Sequence, residues 1–128
     1  MSDPMHDAMP FMKLLDIETV TNTAAEVRLR MPWREELCTT LGIMHGGAIM
    51  SLADTAGAMC AFLNLPEGAG GTTTIESKTN FLRAVRDGVV EAVATPLHAG
   101  RKVIVVETDV LDDAGKRVAR VTQTQAVL

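Results

Sequence analysis

Along most of the chain, apolar and polar positions alternate with period two, and one long stretch breaks that rhythm. In "AEVRLRM" (25–31), Ala25, Val27, Leu29 and Met31 alternate with Glu26, Arg28 and Arg30, the pattern of a half-buried strand that Pro32 closes. "LLDIETVT", just upstream, reads as a partner strand. Four more candidates follow residue 71: "TTTIESKTNFL", "GVVEAVATPL", "KVIVVETDVL" and "RVARVTQTQAV", joined by the turn-like "VRDG", "HAGR" and "DDAGK". Joins this short predict antiparallel hairpins and a four-strand meander, because parallel pairing needs crossovers for which no helix is available.

Between the two groups of strands, small residues, Leu, Met and Ala run from Gly46 to Leu63 without a proline, until "NLPEGAGG" ends the pattern. A helix apolar on all sides must, in a soluble chain, be wrapped by other structure. The elements therefore predict an α+β fold, a single domain in which an antiparallel sheet of about six strands curls around one central buried helix. Residues 1–10 read as a polar N-terminal leader and 11–128 as the domain. The outer face of the sheet is left for self-association.

Composition narrows this picture. With 128 residues, 47% of them hydrophobic and no Tyr, the interior is aliphatic and methionine-containing, and the chain is short enough for oligomerisation to help stabilise it. A net charge of −4 with dispersed Lys and Arg argues against a general nucleic-acid binder. Cys38 and Cys60 lack C-x-x-C spacing, so neither a disulfide framework nor a zinc knuckle is indicated, and a reducing cytoplasm is expected. "MSDPMHDAMPF" lacks the basic flank and apolar run of a signal peptide, and no uninterrupted apolar segment is expected to reach membrane-spanning length.

The candidate chemistry centres on the helix. From Ala48 to Leu63 the only charged group is Asp54, and a buried carboxylate without a partner is costly, so it needs either a structural satisfier or a function. Gly46 and Gly47 stand at the helix entry, where the first N–H groups are unpaired and the lack of Cβ atoms lets a ligand oxygen approach. That outlines an oxyanion site, although two glycines there also serve a tight turn, and His45 suits a helix entry as well as a catalyst. Asp54 follows His45 by nine residues, on the opposite helical face and about 12–14 Å along the axis. One chain can scarcely bring both to one substrate, whereas two antiparallel helices across a two-fold axis can, which predicts a dimer.

Other chemistries find little support. No G-x-S-x-G surrounds Ser51, the histidines His6, His45 and His98 are scattered without metal-ligand spacing, and no Lys-Ser/Thr follows the glycine pair. No metal or separate cofactor is expected, and Cys60 reads as packing.

"HGGAIMSLADTAGA", followed by "TIESKTNFLRAV", "HAGRKV" and "DDAGKRVARVTQT", resembles the hotdog-fold acyl-CoA thioesterases of the phenylacetate-degradation type over roughly residues 11–127. The resemblance implies a hotdog domain whose paired protomers share active sites, assembled as a dimer or as a dimer of dimers, a homotetramer, and an acyl-CoA substrate that brings coenzyme A as part of itself. It implies that the Gly46 N–H polarises the thioester carbonyl, that His45 supports the loop, and that Asp54 of the other protomer attacks the carbonyl or activates water. Thr74, with Thr73 as the neighbouring alternative, matches a hydroxyl residue that faces the acid. Thr39 stands where such enzymes often have Asn, at a position that bears on how the water or the sulfur is held.

Coenzyme A contacts are expected from Gly47 and Phe81, from Arg83 and Arg86 after the third strand, and from His98, Gly100, Arg101 and Lys102 in the "HAGRK" turn, since Arg forks grip phosphate. The same charges also suit ordinary solvated turns. Arg28, Arg30, Arg117 and Arg120 read as outward strand residues. Met44, Met50 and Met12 are candidates for an adaptable acyl pocket. Two alternatives stand beside hydrolysis. A non-catalytic acyl-CoA sensing module would not need Asp54, and a hydratase would call for a different pairing of His and acid.

Overall fold

The computed structural model describes residues 3–128. Pro4 and Pro10 each open a short helix at a position where a missing N–H costs nothing, giving α1 (Pro4–Ala8) and α2 (Pro10–Leu14). The expected polar leader is thus folded: Met5 and Met9 pack partly against the core, and Asp3 accepts from the backbone N–H groups of Met5 and Thr19. The first strand begins later than "LLDIETVT" suggested, as β1 (Glu18–Asn22), because Met12, Leu15 and Ile17 turn into the core as the chain leaves α2.

β2 (Val27–Pro32) follows the predicted alternation, with Val27, Leu29 and Met31 fully buried. Then come α3 (Gly46–Leu63), β3 (Thr72–Phe81), β4 (Val89–Ala99), β5 (Val103–Leu111) and β6 (Arg117–Val127). All pair antiparallel in the order β1-β2-β4-β5-β6-β3. The expected meander holds for β4 to β6 but not for β3, which crosses to the far edge and pairs with β6 while β4 pairs with β2. Alternation identifies a strand and its faces; it carries no record of which neighbour supplies the ladder.

The sheet packs its concave face on α3. Ala53, Ala56, Gly57, Cys60 and Ala61 keep the helix close to the strands, and Val90, Ala92, Ala94, Ile104, Val106, Val110 and Val121 complete the buried layer. On the outer face Arg28 pairs with Glu26 and Glu91, and Arg117 and Arg120 pair with Asp109, so these arginines point outward with carboxylate partners. The Arg120 guanidinium holds the Asp109 carboxyl below the usual carboxylate range.

α3 departs from expectation in two respects. Its 18 residues are apolar enough to cross a membrane by length and composition, yet its sheet-facing side is buried inside the domain; composition alone does not separate a core helix from a spanning one. It is also wrapped on one side only. Met50, Asp54, Phe62 and Leu63 are exposed, beside β3, an edge strand with almost every residue exposed.

Candidate active site

The loop into α3 places His45 as the N-cap, where its ring Nδ1 accepts from the Gly47 N–H at 2.7 Å. The His45 carbonyl takes the Ala48 N–H at 2.9 Å. With those donors used, the Gly46 N–H is the one at the helix start without an acceptor among the described residues. It opens onto a concavity lined by Thr39, Ile43, Met44, Phe81 and Arg83. The Phe81 ring lies so close that a Cβ on Gly46 would stand 3.0 Å from its Cζ, so glycine here is a matter of space.

Asp54 stands two turns further on, at the open face of α3, with Phe11, Gly47, Met50, Ser51, Thr55 and Ser77 around it. It is exposed in the single chain, contrary to the buried carboxylate expected from its neighbours in sequence, because the sheet covers only the other side of the helix. Its contact is a side chain that sequence reasoning missed: Gln123 of β6, fully buried, donates through Nε2 to Asp54 Oδ1 at 2.5 Å. The nearby hydroxyls of Ser51 and Thr55 are occupied, donating to the Gly47 and Ser51 carbonyls one turn back.

Thr74 meets this group from β3. Its Oγ1 accepts from Gln125 Nε2 at 2.7 Å and from Gln123 Nε2 at 3.3 Å. A bulge between Thr74 and Glu76 resets the alternation, so Thr74, opposite Gln125, and Ser77, opposite Gln123, share the helix-facing side although three positions apart. Thr73 pairs with Ala126, and no side-chain contact ties it to the acid. The signal for the missed amides was present: Ala119, Val121, Gln123 and Gln125 share one phase of a strand, which puts two amides on the core face.

Gly46 and Asp54 line separate concavities, as their spacing on the helix requires. The expected coenzyme A residues also divide. Arg83 and Phe81 stand beside Gly46, and Arg86 is exposed in the loop that follows. His98, Gly100, Arg101 and Lys102 form the β4–β5 turn at the opposite end of the sheet, on the order of 30 Å away along the strands, where Arg101 faces Pro66 and Leu128 beyond the end of α3. Within that turn a Cβ on Gly100 would crowd the His98 ring and the Val103 carbonyl. One chain does not bring the two clusters together.

Of the methionine candidates, Met44 lies beside Gly46 and Met50 beside Asp54, whereas Met12 is sealed in the core. Burial pushes the Cys60 thiol up to about 11, which leaves it protonated and unsuited to nucleophilic work. Among the described residues no three His, Cys, Asp or Glu side chains gather to hold a metal ion.

Comparison with known proteins supplies the context for this geometry. The thioesterase superfamily matches residues 41–119. The 1,4-dihydroxy-2-naphthoyl-CoA hydrolase of Escherichia coli is 31% identical over 98 residues, covering 77% of this chain and 71% of that protein. A solved thioesterase of Haemophilus influenzae superposes with a TM-score of 0.86 at 30% identity, over 92% of this chain and 82% of that one. A variant thioesterase of Pseudomonas aeruginosa gives 0.89 at 28% identity, over 97% and 89%.

Proposed function

Because this chain belongs to the thioesterase superfamily, as a single hotdog domain, we propose that it hydrolyses acyl-CoA thioesters in a site shared by two protomers. The observation that carries the reading is the pairing of a Gly46 N–H that has no acceptor among the described residues with a lone carboxylate at Asp54, in separate concavities of one chain. Two copies related by a two-fold axis between their exposed β3 edges and open α3 faces set each Asp54 against the other's Gly46 end. The same operation brings the partner's "HAGRK" end level with Arg83, so that one coenzyme A meets cationic groups from both chains.

In that site the thioester carbonyl oxygen accepts from the Gly46 N–H, whose direction the His45 cap fixes. Asp54 of the partner subunit takes a proton from water as the water oxygen bonds to the carbonyl carbon, or bonds to that carbon itself. Negative charge gathers on the carbonyl oxygen in either route, and one well-placed donor there is worth about 3–4 kcal/mol. Collapse breaks the C–S bond and releases the thiolate, a leaving group that needs little acid assistance; where Asp54 has itself attacked, water then hydrolyses the acyl-Asp54 anhydride, which frees the carboxylic acid and restores the carboxylate. Coenzyme A enters and leaves as part of the substrate. We assign the acyl end to the apolar surface around Met50 and Phe11, and the enzyme to the reducing cytoplasm, where the free thiols of Cys38 and Cys60 persist.

Release of free thiol from a panel of aliphatic, branched and aryl CoA thioesters tests the reading. Turnover is expected on members of the panel, with KM about tenfold or more higher for the matching pantetheine thioesters, which lack the nucleotide phosphates and so lose at least one charge-assisted contact. Binding of acyl-CoA without turnover of any thioester would replace the enzyme with a sensing module.

A further inference from the structure

Gln123 is an expensive residue to place where it is. It sits on the helix-facing side of β6 with no exposed surface, and its Oε1 has no hydrogen-bond partner among the described residues. A buried amide with one end unsatisfied is destabilising compared with an apolar side chain of the same shape. What the site gains lies at the other end, where Nε2 donates to Asp54 Oδ1 at 2.5 Å and approaches Thr74 Oγ1 at 3.3 Å.

We propose that Gln123 is a positioning residue for Asp54, holding one carboxylate oxygen so that the other is presented to the water or the thioester carbon. This rests on the reading of Asp54 as the reacting acid.

Three features of the structure support the assignment. Asp54 stands on an exposed helix face where its side chain would otherwise rotate freely, and its second oxygen accepts from no group among the described residues. Gln123 cannot swing away: its Oε1 lies against Gly57, where any Cβ would overlap it, so the absence of a side chain on α3 seats the amide. The neighbouring Gln125, also buried, does the same for Thr74, donating to its Oγ1 at 2.7 Å and leaving the Thr74 hydroxyl proton free to point into the site. Two amides in one strand phase thus orient the acid and the hydroxyl, and orientation of a reacting group acts on the transition state more than on binding.

Gln123→Met tests this, since methionine keeps the length and volume, removes the donor and suits a buried site. The expected result is a fall in kcat of ~10–100-fold, the loss of one hydrogen bond to a charged group, with KM little changed and the melting temperature unchanged or raised. In an Asp54→Asn background the same substitution is expected to cost nothing further, because its effect runs through the carboxylate. Unchanged kcat in a folded Gln123→Met protein, or the same fold-loss in both backgrounds, overturns the proposal. Asp54→Asn alone reports on the site itself, so a full-activity Asp54→Asn protein would sink the reading of the acid rather than that of the amide. Should Gln123→Met not fold, Gln123→Asn, which draws the amide back by about 1.5 Å, gives the same two readouts.

Discussion

Asp54→Asn lowers kcat for thioester hydrolysis by several hundred-fold or more and leaves the melting temperature and the oligomeric state unchanged. The side chain is exposed on α3 and its one hydrogen-bond partner among the described residues is the Gln123 amide, from which an Asn oxygen also accepts, so the substitution removes charge without opening a cavity. It takes away the only acid on the open face of the helix and with it the capacity to attack or to accept a proton, a role worth typically ~10²–10⁴ in rate. Steady-state kinetics beside a thermal melt check the result; a fall in melting temperature in step with activity would instead mark Asp54 as structural.

Gly46→Pro is expected to cost ~10²–10³ in kcat relative to Gly46→Ala, about 3–4 kcal/mol of transition-state stabilisation. Gly46 is the first residue of α3, the helical position where proline is best tolerated, and His45 before it has the extended backbone (ψ 135°) that proline demands of its predecessor. Both substitutions add a Cβ near the Phe81 ring, so alanine controls for crowding while only proline deletes the N–H. Equal losses in the two variants would mean that space against Phe81, and not the donor, is what the site needs from glycine.

The fold was legible because its two periods are clean. Val27, Leu29 and Met31 mark the core face of β2, and Val121 marks that of β6. The run of small and apolar residues along α3, with Asp54 its one charged member, announced a core helix. Strand order was not legible: β3 lies at the edge beside β6, a ladder partner that neither its own alternation nor the short loop that follows it records. Gly46 and Asp54 could be found as a lone N–H and a lone carboxylate on one helix. The exposure of Asp54 could not be read, since its neighbours in sequence are apolar for two different reasons: Ala53 faces the sheet, whereas Met50 faces outward with the acid. Gln123 and Gln125 were within reach, as polar residues in the core phase of an otherwise apolar strand. The division of the cationic residues between opposite ends of the sheet needed the strand lengths and the topology together.

The central claim is that a thioesterase site forms from Gly46 of one chain and Asp54 of another. Co-expression of the Gly46→Pro and Asp54→Asn chains under two different tags, with purification through both, isolates mixed dimers; their thioesterase activity is the measurement to make. Each mixed dimer would hold one doubly damaged site and one with both groups intact, so activity of about half the parent value per dimer is predicted, although each parent variant alone is nearly inactive. No recovery above the separate variants would place both groups in one chain's site, or neither in any, and would contradict the account.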